Sequence, residues 1–183
     1  MVASDVSASV ENAGGLIGYA EDIKLNLCNY TTSPTSEVSA PKCAGGLVGY
    51  MEEGDMESGN HACFEGCYNW GDIDVAVDDD HGLGGLAGYM DSYAELWWNI
   101  NFKEPSGHNS SENTGHIWGK KKGEYTTKHN YNVYDTAAMA NADNFADLKI
   151  NATDSYWVMS AGDPHPRIKD CPFQNATYIP DSK

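Results

Sequence analysis

Ala44-Gly45-Gly46-Leu47-Val48-Gly49-Tyr50 decides the fold, because nearly the same phrase stands earlier as Ala13-Gly14-Gly15-Leu16-Ile17-Gly18-Tyr19 and later as Leu83-Gly84-Gly85-Leu86-Ala87-Gly88-Tyr89. The copies begin 31 and then 39 residues apart. A glycine and aliphatic template returning in this way marks a repeat architecture, in which each unit buries its apolar edge by stacking on the next. A flexible linker has no reason to hold Leu, a small aliphatic residue and Tyr at constant offsets. The spacing therefore predicts a solenoid with Leu16, Leu47 and Leu86 in one buried ladder and the tyrosines in another.

A second phrase follows the template. Its clearest form is Cys67-Tyr68-Asn69-Trp70-Gly71-Asp72-Ile73-Asp74-Val75; Glu112-Asn113-Thr114-Gly115-His116-Ile117-Trp118 repeats its Asn-Xaa-Gly-Xaa-Ile core, and Leu27-Cys28-Asn29-Tyr30 reads as a worn copy. Ile73, Val75 and Val77 alternate with Asp72, Asp74 and Ala76, the period-two pattern of a strand with one face buried. Polar stretches at 31–41, 52–59 and 104–112 read as loop insertions, which explains the unequal spacing. Residues 1–135 are thus expected to form repeats, and 136–183 a capping segment that closes the last one, with a short helix between 136 and 145.

The net charge of -16, from 11 Lys and Arg against 27 Asp and Glu, opposes nucleic acid and anionic membrane surfaces as partners. Arg167 is the single arginine, so bidentate anion recognition has almost no donor. No apolar run is long enough to span a bilayer, and Met1-Val2-Ala3-Ser4-Asp5 lacks the features of a signal peptide. A template beginning as early as Ala13, with no distinct opening unit, predicts a fragment or a processed chain.

Five cysteines, Cys28, Cys43, Cys63, Cys67 and Cys171, leave one over after two bridges. Two disulfides drawn mainly from Cys28, Cys43, Cys63 and Cys67 are expected, with Cys171 left as the odd or intermolecular thiol; the connectivity stays open. Asn29, Asn109, Asn151 and Asn175 each begin an Asn-Xaa-Ser/Thr glycosylation acceptor, and Asn29 and Asn109 lie in or beside polar loops. Cysteines and acceptors together place the chain outside the cell or on its surface. His61, Cys63, Cys67 and His81 lack the second ligand pair of a structural zinc site, which favours disulfides over metal. Asp72, Asp74, Asp78, Asp79 and Asp80 form a carboxylate run that would suit structural calcium, although no recognised calcium loop surrounds it. Trp97 and Trp98 are adjacent, so on a strand they face opposite ways. One of them is then available as a platform on which a sugar ring stacks.

These glycine phrases, each followed by one such as Cys67-Tyr68-Asn69-Trp70-Gly71-Asp72-Ile73, resemble the GLUG repeats of bacterial and some eukaryotic surface proteins. Asn130-Tyr131-Asn132-Val133-Tyr134-Asp135, Ser155-Tyr156-Trp157-Val158 and Pro166-Arg167-Ile168 are similar to the segment that terminates such arrays. The resemblance covers most of residues 10 to 170. It implies an all-β fold, a right-handed parallel β-solenoid with a short irregular C-terminal cap, and it implies no catalytic residues. The expected function is a non-enzymatic structural or adhesive module that associates with itself or belongs to a longer parent chain and forms part of an extracellular filament. A glycan-binding module is the alternative, and a carbohydrate-active β-helix enzyme the second. No cofactor beyond structural calcium is expected.

Overall fold

The computed structural model describes residues 6–170 apart from 10, 22–23, 27–28, 31–36, 53–61, 74–81, 92–93, 104, 106–113, 116 and 123–124. The first repeat contributes β1 (Val6–Ser7), β2 (Asn12–Gly14), β3 (Ile17–Glu21), β4 (Lys24–Asn26) and β5 (Asn29–Tyr30). The second supplies β6 (Glu37–Ser39), β7 (Cys43–Gly45), β8 (Val48–Glu52), β9 (Ala62–Glu65) and β10 (Tyr68–Asn69). In the third are β11 (Asp72–Ile73), β12 (Leu83–Gly84), β13 (Ala87–Met90), β14 (Ala94–Trp97) and β15 (Ile100–Asn101). A fourth adds β16 (Thr114–Gly115), β17 (Trp118–Lys121), β18 (Tyr125–Lys128) and β19 (Tyr131–Asn132). The chain is all-β apart from a short helical stretch near its end.

Each strand pairs in parallel with its counterpart in the next repeat, which gives five small sheets in the orders β1-β6-β11, β2-β7-β12-β16, β3-β8-β13-β17, β4-β9-β14-β18 and β5-β10-β15-β19. The template sets the register. Ala13 lies beside Ala44, Ala44 beside Leu83, and Leu83 beside Thr114. Glycine is required at the last Gly of the template where one repeat stacks on the one before: a Cβ on Gly88 would stand 2.5 Å from the Gly49 carbonyl oxygen and 2.8 Å from Ala44 backbone atoms. Neighbouring backbones approach there as only glycine allows.

Inward side chains form columns through the repeats. Leu25, Phe64 and Leu96 make one, Val38 and Ile73 another, and Met51 and Met90 a third, all buried in one apolar core. The leucine ladder holds its register, since the Leu16 N–H donates to the Leu47 carbonyl and the Leu47 N–H to that of Leu86. Its burial differs from expectation: Leu47 and Leu86 are fully buried, whereas Leu16 is 41% exposed. No strand precedes β2 in its sheet, so nothing among the described residues covers that rung.

Pairing also corrects the reading of residues 112–118. Thr114 and Gly115 pair with Leu83 and Gly84, and Trp118 with Ala87, so this stretch is a fourth copy of the glycine template and not of the Cys67 phrase. The fourth copy of that phrase is Asn130-Tyr131-Asn132-Val133, whose Tyr131 and Asn132 pair with Ile100 and Asn101.

Alternation along this phrase buries both faces of its sheet. Cys67 and Asn69 point inward, while Tyr68 and Trp70, with Ile100 and Phe102 behind them, build a second apolar cluster on the flank. Residues 136–170 cover this cluster. Helix α1 (Thr136–Met139) begins where Asp135 Oδ1 accepts the Ala138 N–H at 2.8 Å, and Met139 enters the cluster. A 3-10 stretch, Ala142–Leu148, adds Phe145 and Leu148, and the antiparallel pair β20 (Trp157–Val158) and β21 (Arg167–Ile168) adds Trp157 and Ile168. The segment packs along the side of three repeats, over the apolar surface there. Polarity marks the fourth repeat itself, where Thr127 follows Leu96 and Lys121 follows Met90.

Candidate functional site

The corner between the β9 and β10 counterparts builds an enclosed aromatic surface. Three repeats place a left-handed residue there: Gly66 at φ 64, Trp98 at φ 57 and His129 at φ 53. Glycine adopts this conformation freely, but for bulky L-residues it costs roughly 1–2 kcal/mol. Trp98 is therefore a corner residue that follows strand β14, and it does not continue a strand with Trp97 as the sequence suggested.

The strained corner turns the Trp98 and His129 rings to the same side, with centroids 6.3 Å apart and planes within 20°. Tyr156 crosses Trp98 edge-on at 6.0 Å and 66°, and its hydroxyl donates to Glu65 at 2.6 Å. Trp157 Nε1–H donates to the Trp98 carbonyl at 3.0 Å, pinning the flank segment to the corner. Between these groups lies a cavity of about 290 Å³ whose rim carries Asp147, Lys149 and Asp154. Asp147 stands 3.3 Å from His129 Nδ1 and accepts from the Tyr131 hydroxyl at 3.2 Å. Lys149 pairs with Asp154 at 3.2 Å, and its amine holds the Asp154 carboxyl below the ordinary range.

Three further side chains stand inside the corner sheet. Asn99 accepts the Cys67 N–H at 2.9 Å and donates to the Phe64 carbonyl at 2.9 Å and to Asn130 Oδ1 at 2.9 Å. Asn130 in turn donates to the Leu96 carbonyl at 2.6 Å. Cys67 occupies the equivalent position one repeat earlier, its Sγ 3.3 Å from the Leu25 carbonyl. The thiol thus takes the place of an amide in a continuous column.

Template tyrosines form an external stack: Tyr19 lies 5.7 Å from Tyr50 and Tyr50 4.8 Å from Tyr89, with planes within 8° and 4°. Because the rings cover one another, the column presents edges and hydroxyls; Tyr19 at its end is 51% exposed. Desolvation, then the nearby Asp91 carboxylate, pushes the Tyr50 hydroxyl up to about 12. Sequence reasoning had a signal for this surface in the recurring Tyr but placed the aromatic platform at the tryptophans.

The remaining candidates scatter. Cys43 and Cys63 carry free thiols on different sheets, both pushed up mainly by burial, and no two described cysteines are joined. Cys28 and Cys171 lie outside the described residues, as do His61 and His81. Asp72 pairs with Lys103 at 2.8 Å; Asp74, Asp78, Asp79 and Asp80 lie outside the described residues. No group of three metal-ligating side chains occurs among the described residues. Asn151 is exposed, with φ 67, and its amide group both donates to the Met159 carbonyl (2.7 Å) and accepts the Met159 N–H (2.9 Å). Asn29 lies on β5, while Asn109 and Asn175 fall outside the described residues.

The flank cluster carries a pH dependence. His165 is buried, its ring 4.2 Å from Trp70 and 5.2 Å from Phe102, with Nδ1 2.7 Å from the Pro166 carbonyl oxygen. Desolvation lowers its pKa and the Arg167 charge adds to this; the Pro166 carbonyl and Asp163 oppose it. A folded-state pKa below the unfolded value of about 6.5 means that the unfolded chain takes up the proton first. Stability from this group is present above about pH 6.5 and declines as pH falls toward the folded pKa. We expect the melting temperature, read by tryptophan fluorescence, to fall between about pH 7 and about pH 5, and His165→Phe to flatten that fall. An identical fall in the variant would assign it to other groups.

Comparison of the chain with protein-family models, with curated proteins and with solved structures returns no match in any of the three.

Proposed function

We propose that the chain is a right-handed parallel β-solenoid that serves as a non-enzymatic structural or adhesive module of a secreted or cell-surface protein. The observation that carries this reading is the pairing of four successive repeats without a register slip, the arrangement expected of a stiff quasi-one-dimensional rod. Parallel crossovers are right-handed in nearly all cases, which supports the handedness, and the likeness of the glycine template to GLUG repeats supports the surface setting.

Self-association is supported by the asymmetry of the two edges. At the β1–β5 edge Leu16 and Tyr19 are exposed beside the carboxylate of Glu21, and this edge, unpaired among the described residues, offers backbone groups for pairing. At the β16–β19 edge the tyrosine column ends in Lys120 and the Glu21 column in Lys122, with Lys122 3.0 Å from Asp91 of the preceding repeat. Acid at one end and base at the other favour head-to-tail contact between copies, or the same contact with further repeats of a longer parent chain. Added salt screens the repulsion from the net charge of -16 and so promotes assembly. Sedimentation velocity and negative-stain microscopy at moderate salt are expected to show rods of several copies. A strict monomer at every salt concentration would remove the self-associating part of the reading.

A further inference from the structure

We propose that the cavity between Trp98, His129 and Tyr156 binds a single neutral or amine-bearing sugar ring, such as the terminal hexose or hexosamine of a glycan. This site is independent of the structural role above. Its walls are aromatic, and a ring face meets the C–H face of a pyranose. Its rim is made of Asp147, Lys149 and Asp154, which supply acceptors and a donor for hydroxyl groups at the edge of such a ring. Ligand sites combine a mostly apolar lining with a few convergent polar groups in this way. The volume of about 290 Å³ lies at the small end of ligand cavities, roughly 300–1,000 Å³, which suits one ring and not a chain of them.

Three further observations point to a ligand. First, Trp98 and His129 hold left-handed backbone at a corner where Gly66 serves the preceding repeat without strain. Strain of this kind persists where the surroundings over-determine it, and it clusters at binding sites. Second, the walls are held before any ligand arrives: the Trp98 ring stacks on His129 and meets Tyr156 edge-on, and the Tyr156 hydroxyl donates to Glu65. A pre-organised wall loses little freedom on binding. Third, the rim holds two carboxylates against one lysine on a chain of net charge -16, so a uronic or sialic acid meets repulsion while an amine meets attraction.

The test uses the whole chain and ligand-observed saturation-transfer NMR with methyl glucoside, methyl glucosaminide, methyl glucuronide and choline as probes. Saturable binding of the first two is expected, with dissociation constants on the order of 1 mM for so few atoms, and glucuronide about tenfold weaker or absent. Trp98→Gly removes the ring but keeps a residue at home in left-handed backbone, as Gly66 is. It should abolish binding while circular dichroism keeps its wild-type shape, with the melting temperature lowered because the ring also packs on the flank cluster. Should that variant fail to fold, His129→Gly applies the same logic to the adjoining ring of the wall. Absence of saturable sugar binding by the wild type overturns the proposal. So does tightest binding of glucuronide, binding of choline alone, or sugar binding that survives both substitutions.

Discussion

Gly88→Ala is expected to cost at least about 3 kcal/mol, near the top of the range for overpacking a core, and to leave little or no folded chain in mild urea. The added methyl meets backbone on every side: the Gly49 carbonyl oxygen at 2.5 Å and the Ala44 N and C atoms at 2.8 Å. Side chains can rotate away from a new methyl group, but these atoms belong to strands β7 and β8, held in place by their own hydrogen bonds. Relief therefore requires two repeats to separate. Against a total stability of about 5–15 kcal/mol, that loss is decisive. Gly18 holds the same place in the first template, yet a Cβ there comes no nearer than 3.1 Å, to the Asn12 carbonyl oxygen. Gly18→Ala should cost under about 1 kcal/mol, since it removes flexibility from the unfolded chain as well. Urea midpoints measured side by side decide the matter, and equal midpoints for the two variants would refute the stacked register.

Asn99→Leu should be the second most damaging change. Its size suits the site, but it deletes the acceptor of the Cys67 N–H and the donor to the Phe64 carbonyl, both inside the buried column. Each buried group left without a partner costs about 1–3 kcal/mol, giving a loss of about 2–6 kcal/mol. Asn132 stands two residues beyond the next member of the column and is exposed, so Asn132→Leu serves as a nearly neutral control. Chemical denaturation with amide exchange at Cys67 gives two readouts. A variant as stable as wild type, with the Cys67 amide still protected, would mean that the amide column contributes nothing.

The glycine template was legible because it needs the same residues each time: where two backbones touch, nothing but glycine serves. The fourth copy was hidden by its role at the edge of the stack. Thr114 replaces Leu83 and Lys121 replaces Met90, since an outer repeat has less to bury. Its Asn113-Xaa-Gly115-Xaa-Ile117 run also mimics Asn69-Xaa-Gly71-Xaa-Ile73, and a match on residue type alone favoured the wrong phrase. Counting 31 residues on from Gly84 and Gly88 reaches Gly115 and Gly119, so spacing held the answer that composition obscured. Trp98 was visible as a candidate aromatic surface, but its neighbours were not. Tyr156 reaches Glu65 across 91 residues, and no local pattern announces that the flank segment folds back so far. The amide column escaped notice because it starts from Cys67, and a thiol standing in for an amide looks like a disulfide partner.

The repeats differ in length at little thermodynamic cost. Ala13 and Ala44 are 31 residues apart and Ala44 and Leu83 are 39, and most of the difference falls between the end of β8 at Glu52 and the start of β9 at Ala62. Loop closure scales with the logarithm of length, so the longer circuit costs only about 0.2 kcal/mol more than the shorter. Genetic change can therefore lengthen this connection almost without selection against it on grounds of stability, while a single methyl group at Gly88 meets strong selection. Variation among descendants of this chain should collect in that gap, as should any grafted epitope or affinity tag that leaves the rest intact.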